Sequence, residues 1–363
     1  MLWGLFGGKR DRQARINNDS SPLTVQAGQD LLSAALEAGF AWPHDCRQGN
    51  CSTCRCRITS GKIKARTDFE TVLTPAELKE GWVLACQSEL RSDIEVEVEL
   101  TSEEPQAAVA HYQGTISRMT SLTHDIVELI VQVPDLQRAG VAGQYAELGY
   151  DGLSVPRSYS FAKAPSNEET DELSFYIRKV PGGEFTEWLF AEDRAGTELK
   201  VSLPYGGFCY HSESGPMICI AGGSGMSAIR AVLEQAVLDQ VERDALFLFG
   251  ARTQQDLYGE EAMGEIRRQW HPDYKFEYVE VLNMEPEDSD WAGPRGLVTD
   301  HLKEAYVEPK AFDMAACQGY LCGPPPMIDA AIEVLKAEGM SGEQIFFDKF
   351  LDASSMPGGR PGA

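Results

Sequence analysis

Residues 46–54 read Cys-Arg-Gln-Gly-Asn-Cys-Ser-Thr-Cys, and a further cysteine, Cys86, follows within Val83-Leu84-Ala85-Cys86-Gln87-Ser88-Glu89-Leu90. Cys46-x4-Cys51-x2-Cys54 followed by a distant fourth thiol is the ligand spacing of a plant-type [2Fe-2S] cluster. Three thiolates on one tight loop suit a compact cluster. Arg47, Gly49 and Asn50 lie within that loop, where backbone N–H groups can bond the sulfurs and glycine lets the chain pass close. A structural zinc site is the competing reading, but zinc ligands usually come as two short-spaced couples. Cys56 shares the face of Cys54 in a strand, yet the four-ligand set is complete without it. It reads as a packed small hydrophobe.

Working outward, the cluster loop sits in a block spanning 20–104. An apolar-periodic helix over 30–40 precedes the loop, a strand over 54–61 follows it, and 94–100 alternates with period two. Residues 101–108 are polar, acidic and proline-bearing, a linker pattern. Residues 1–19 read as a flexible N-terminus and 352–363, small and rich in Gly and Pro, as a disordered tail. The block 109–213 holds short strands (111–120, 125–133, 143–150, 157–162, 172–180, 198–206) and one short helix near 186–191, which predicts an antiparallel barrel. From 214 to 351 strands alternate with helices, which predicts a doubly wound parallel sheet. The fold class is therefore α+β and α/β, in three domains.

The 363 residues carry a net charge of −24, and each block beyond residue 19 is acidic. Binding nucleic acid means neutralising phosphates with Lys and Arg, so a nucleic-acid partner is excluded; a basic docking patch on a protein partner would be attracted, and an acidity that only keeps the protein soluble is the alternative reading. No run reaches the roughly 20 apolar residues of a membrane span, and the apolar opening Met1-Leu2-Trp3-Gly4-Leu5-Phe6 is too short for a signal-peptide core. Nine cysteines, five of them between Cys46 and Cys86, without an export signal point to a reducing cytoplasm and to metal or redox chemistry in place of disulfides.

Two further stretches carry chemistry. Arg157-Ser158-Tyr159-Ser160 alternates so that Arg157 and Tyr159 share a strand face with Ser160 opposite: a guanidinium fork for phosphate, an aromatic for a planar ring, a hydroxyl for a ring nitrogen. Tyr176-Ile177-Arg178-Lys179 and Gly182-Gly183-Glu184-Phe185-Thr186 follow, the glycine pair and Thr186 opening a helix as an anion site does. Gly222-Gly223-Ser224-Gly225-Met226-Ser227 lies between a buried strand and a helix, and Gly223, Gly225 and Ala228 satisfy G-x-G-x-x-G/A. The acidic residue expected at the end of the second strand is missing; Arg252 stands there, and an arginine can meet a 2′-phosphate. Cys322-Gly323-Pro324-Pro325-Pro326-Met327 makes a second tight turn at the same sheet edge.

Taken together, residues 20–351 resemble the ferredoxin–NAD(P) reductase superfamily, and within it the reductase components of multicomponent bacterial oxygenases. That resemblance implies a β-grasp ferredoxin domain, an antiparallel FAD-binding barrel and a nucleotide-binding sheet, in that order. It implies Cys46, Cys51, Cys54 and Cys86 as cluster ligands, and Arg157, Tyr159 and Ser160 at the flavin pyrophosphate, ring and N5 region. Ser158, Ile177, Lys179, Gly182, Gly183, Phe185 and Thr186 fall in the same flavin motifs. Gly222 to Ser227, Arg252 and the turn Cys322-Gly323-Pro324 fall at the nicotinamide nucleotide, NADH with NADPH as the alternative. Phe350 resembles the aromatic that covers the flavin; a core role is the alternative. Ser160 and Cys322 are the residues expected at the hydride-transfer region. The implied partner is an oxygenase component, the implied state a monomer. The same module order serves a deoxysugar-dehydrase reductase, and a docking ferredoxin fused to a redundant domain is the non-enzymatic alternative.

Overall fold

A computed structural model describes residues 10–19, 21–44, 47, 49, 52–100, 109–137, 139–165 and 171–350. Cys46 and Cys51, the linker at 101–108 and the tail at 352–363 fall outside them. The chain divides into two compact units, 1–109 and 110–363.

The first unit is a five-stranded mixed sheet in the order Leu23–Val25, Arg12–Ile16, Ile94–Glu97, Arg55–Ser60, Trp82–Leu84. Arg12–Ile16 and Ile94–Glu97 run parallel, the other pairs antiparallel. The helix Leu31–Glu37 begins where Asp30 accepts the Ser33 N–H, the ordinary N-cap bond. It stops at the left-handed Gly39 (φ 82). Its buried Leu31, Leu32, Ala35 and Leu36 join Trp42, Ile94 and Val96 in one core. The sheet starts earlier than the sequence reading places the domain. Arg12–Ile16 lies inside the stretch read as flexible, and it is held because Ala14 and Ile16 point into the core while its backbone pairs with two neighbours. Five residues with two apolar members show little periodicity by themselves.

The second unit opens with a barrel whose strands run in the order Arg157–Ser160, Tyr145–Gly149, Glu198–Tyr205, Ala110–Ser121, Ile126–Gln132, Glu172–Arg178, all antiparallel. A bridge between Phe161 and Phe175 links the first and last strands and nearly closes it. Ile116, Leu129, Val131, Phe161, Phe175, Ile177 and Val201 fill the interior. The helix Glu184–Phe190 seals one end with Phe185 and Leu189.

Next comes a parallel sheet in the order Phe276–Leu282, Ala245–Ala251, Met217–Gly222, Gln318–Gly323, Ile345–Lys349. Met217–Gly222 and Gln318–Gly323 are buried along their whole length, as central parallel strands covered on both faces must be. Chain order reverses between these two strands. That is the switch point where ligands of open α/β sheets bind, beyond the strands' carboxyl ends.

Candidate functional site: two locked turns, a barrel face and a buried thiol pair

At the switch point, Ala221 stands opposite Cys322 in the parallel register, so both glycine-bearing turns leave the sheet at one level. They are in van der Waals contact through glycine. A Cβ on Gly225 would lie 2.2 Å from the Cys322 carbonyl oxygen, and one on Gly323 (φ 142) would lie 2.9 Å from that of Gly222. Gly223 also needs its left-handed φ of 56. The helix Met226–Leu238 starts directly behind, with Ser227 Oγ donating to the Ser224 carbonyl (2.8 Å). Met226 and Ser227 are therefore buried parts of the helix start, and Cys322 is buried in the same core. The Phe350 N–H donates to the Gly323 carbonyl (2.8 Å), and its ring packs against that core.

In front of the turns lies a cavity of about 390 Å³. Gly222, Gly223, Arg252 and Pro324 line it, as the sequence reading places them at the nucleotide. Asp125, Ile126 and Arg178 of the barrel form another part of its wall, and Asp256, Asn283 and Thr299 were not singled out from the sequence. Tyr258 is a further addition: its hydroxyl donates to the Gly223 carbonyl (2.8 Å), and its ring meets Tyr176 and Phe249 edge-on. The volume and the glycine-lined floor fit a dinucleotide lying across the switch point.

Asp256 answers the missing acid. Four residues beyond Arg252, a turn over Thr253–Asp256 folds it back. Its Oδ2 accepts from the Thr253 N–H (3.0 Å) and hydroxyl (2.9 Å), its Oδ1 from Arg252 (2.8 Å). Burial works to raise its pKa, but the Thr253 and Arg252 hydrogen bonds outweigh that and hold it below the usual range.

On the barrel, Ser160 is buried and Ser158 exposed, while Arg157 and Tyr159 share the half-buried face, as strand alternation requires. Tyr159 packs on Phe185 (5.3 Å between centroids), and burial pushes its phenol pKa up against the opposing pull of Arg157. The Arg157 guanidinium donates to the carbonyls of Val155 and Pro156, so its fork folds over its own turn. Ile177 lies inside the barrel core, which leaves only its backbone for a ligand. The Thr186 hydroxyl is engaged by the Val180 N–H and carbonyl (3.1 Å each), so Thr186 fastens the turn at Gly182 and Gly183. A Cβ on Gly183 would lie 2.7 Å from that hydroxyl. Lys179 donates its N–H to the Asp125 carbonyl (2.7 Å) and pairs its ammonium with Glu187 (3.7 Å). The aromatic face, the adjacent Arg157 and a glycine turn opening a helix fit a flavin nucleotide.

In the first unit, Cys86 lies in the 3₁₀ turn Ala85–Gln87 and Cys54 just ahead of the strand Arg55–Ser60; both are buried. The Ala85 N–H donates to the Cys54 carbonyl (3.2 Å), which brings the two thiol-bearing segments together. Gln87 donates to the Arg47 carbonyl (2.9 Å), tying the loop to the Cys86 turn. Arg47, Gly49 and Ser52 are all left-handed (φ 52, 85 and 59). A Cβ on Gly49 would lie 2.9 Å from Gln87 Cγ. Two buried thiols on segments hydrogen-bonded to each other fit part of an iron–sulfur cluster's donor set. Cys56 is fully buried, its thiol pKa pushed well up by burial and then by Cys54, as in a packed residue.

Two outcomes follow from this geometry. Gly225→Ala has no room beside the Cys322 carbonyl and should force the turns apart, raising the nucleotide KM by about tenfold or more while FAD stays bound; steady-state kinetics and the flavin spectrum check both. Arg157→Ala should release FAD on gel filtration and spare the cluster absorbance, a cost of about 2–5 kcal/mol by analogy with broken charge pairs.

The comparisons with known proteins agree with this order of sites. Family models match for a 2Fe-2S iron-sulfur cluster binding domain over residues 15–91, an oxidoreductase FAD-binding domain over 113–210 and an oxidoreductase NAD-binding domain over 219–333. The chain is 38% identical to the xylene/toluene monooxygenase electron transfer component of Pseudomonas putida, covering 96% of each. It is 34% identical to the ferredoxin–NAD(P)+ reductase component of the naphthalene 1,2-dioxygenase system of Pseudomonas putida, covering 95% of this chain and 98% of that one. Among solved structures, an Amycolatopsis cytochrome P450 reductase superposes with a TM-score of 0.80 at 30% identity, over 93% of this chain and 98% of that one. A ferredoxin reductase in carbazole 1,9a-dioxygenase superposes with 0.79 at 26% identity, over 94% and 99%. No helix among the described residues is long and apolar enough to cross a membrane. The chain belongs to the family of NAD(P)H-dependent iron–sulfur flavoprotein reductases, built from [2Fe-2S], FAD and NAD domains, that act as the electron-transfer components of oxygenase systems.

Proposed function

We propose that this chain takes electrons from NADH and delivers them, one at a time, to an oxygenase component. When bound, FAD accepts a hydride as an electron pair and yields it singly, and a [2Fe-2S] cluster carries one electron at a time. The protein's part is binding and alignment. Gly222, Gly223 and the Cys322–Pro324 turn would seat the nicotinamide nucleotide at the switch point. Arg157 and the turn at Gly182 and Gly183 would hold the flavin's phosphates, with Tyr159 against its planar ring and Ser160 buried beside them. Cys46, Cys51, Cys54 and Cys86 would hold the cluster. Among the residues described, none is needed as a general acid or nucleophile.

The observation that carries this reading is the shared wall of the nucleotide cavity, to which the barrel contributes Asp125, Ile126 and Arg178 and the parallel sheet contributes its glycine turns. A dinucleotide held there lies against the flavin barrel. The acceptor follows from the relatives, which serve xylene/toluene monooxygenase and naphthalene 1,2-dioxygenase. An acidic chain of net charge −24 suits docking to a basic patch on such a partner.

The test separates the two halves of the electron path. Cys86→Ala should abolish the cluster absorbance, iron and sulfide, keep FAD, and still reduce ferricyanide from NADH, since a small oxidant draws directly on the flavin. It should fail with cytochrome c and with the oxygenase. Cys56→Ala should keep the cluster spectrum and the turnover with the oxygenase. Loss of iron from the Cys56 variant beside its retention in the Cys86 variant would overturn the ligand assignment, and absence of NADH-driven flavin bleaching in the wild type would sink the reductase reading.

A further inference from the structure

The cavity wall carries a chain of opposite charges that crosses from the barrel to the parallel sheet. Asp125, in the turn before the strand Ile126–Gln132, accepts from Arg178 Nε at 2.9 Å through Oδ2, and the same oxygen stands 3.5 Å from Arg252 Nη2. Arg252 Nη2 also donates to Asp256 (2.8 Å). Ligand atoms of His124, Asp125 and Asp256 lie within 4.8 Å of one another, so the two carboxylates stand side by side around one guanidinium. The Asp125 side chain is only 17% exposed and that of Asp256 14%, whereas Arg252 is 46% exposed. The Asp125 turn is rigid: the Thr123 hydroxyl donates to Oδ1 (3.1 Å), and the Lys179 N–H holds the Asp125 carbonyl (2.7 Å).

An arginine at the end of the second strand of such a sheet ordinarily welcomes a 2′-phosphate, and an acid there selects the ribose hydroxyl. Here the arginine is present and already taken. We propose that Asp125, supplied by the flavin barrel, is a specificity-determining residue that occupies Arg252 and Arg178 and thereby turns the nucleotide cavity against a 2′-phosphate. A 2′-phosphate brings a charge of about −1.5 to −2 towards two carboxylates that are shielded from water and so only weakly screened by salt. A 2′-hydroxyl can instead donate to either of them. The leverage of Asp125 is double, because removing its one charge leaves Arg178 without its carboxylate and leaves Arg252 with Asp256 alone. Arg178 already reaches the nucleotide loop, with Nη1 3.9 Å from where a Cβ on Gly223 would be.

Asp125 has this role only if the cavity holds the nicotinamide nucleotide as proposed above, and the probes are chosen to tell the two failures apart. Calorimetry on the FAD-loaded full chain would compare 5′-AMP with 2′,5′-ADP. The wild type should bind 5′-AMP more tightly. Asp125→Asn should tighten 2′,5′-ADP about tenfold and move 5′-AMP by less than about twofold, and the NADPH/NADH ratio of kcat/KM should rise in step. Arg252→Gln in the wild-type background should weaken 2′,5′-ADP by less than about threefold, because that guanidinium is already occupied. In the Asp125→Asn background the same change should cancel part of the gain, Arg178 keeping the rest. An unchanged ligand ratio in Asp125→Asn, or a loss of about tenfold or more in Arg252→Gln alone, would overturn the role of Asp125 while leaving the nucleotide site standing. Should Asp125→Asn lose its flavin, the Arg252→Gln arm decides the matter. Failure of both ligands to bind or to compete with NADH would bring down the site assignment and Asp125 with it.

Discussion

The Cys322 carbonyl oxygen lies 2.2 Å from where a side chain on Gly225 would begin, and much of the nucleotide half of the molecule is arranged around that contact. Two adjacent parallel strands end in register, and the chain leaves both by sharp turns; with no Cβ at 225 or 323 the turns nest and leave open space in front of them. A side chain at either position would drive backbone against backbone, where no flexible group can yield. The helix Met226–Leu238 then starts at the level of the turn, and its buried face, with Ala228, Ile229, Val232 and Leu233, fixes the turn to the core. Steric closeness at one point thus produces both the floor of the cavity and its rigidity.

The barrel and the parallel sheet must hold a constant relation if a bound nucleotide is to meet a bound flavin, and polar contacts tie them at two ends. Beyond the carboxyl ends of the strands, Asp125 links Arg178 and Arg252, and Arg230 bonds both the Tyr176 hydroxyl and Glu234, which in turn accepts the Ala164 N–H. At the opposite end, Arg243 is almost wholly buried and donates to Gln318 (2.6 Å), to the carbonyl of His211 (2.7 Å) and to that of Glu213 (2.5 Å), on the segment that leads from barrel to sheet. Hydrogen bonds from a buried cation are costly to break, about 1–3 kcal/mol for each buried group left bare. Such bonds hold position better than apolar contact, which slides.

Charge follows the same logic of pairing. The protein is strongly acidic, yet its nucleotide cavity carries arginine and aspartate in alternation, so the local field is set by which partner is withdrawn and not by the net charge. A donor nucleotide with one more phosphate tests that balance directly. The acidity of the rest of the surface acts over longer distances, on encounter with a partner protein.

What the amino-acid sequence determined by itself is whatever depends on near neighbours along the chain. The spacing of Cys46, Cys51 and Cys54 is a property of one short stretch of chain and is read from it directly. Alternation in Arg157–Ser160 follows from strand geometry, and the glycines of 222–225 mark a turn that other residues cannot make. The order of the three domains and the barrel and sheet classes were legible for the same reason. Tertiary structure decided what depends on distant segments. Arg12–Ile16 is a strand because Ile94–Glu97 lies beside it. Ile177 faces inward because the barrel closes over it, which no local pattern states. Asp256 stands beside Arg252 in the cavity wall because a turn folds it back, which no strand pattern announces. Asp125 meets Arg252 only because a barrel hairpin and a sheet edge pack together, and burial there strengthens a charge pairing that an extended chain in water would scarcely feel.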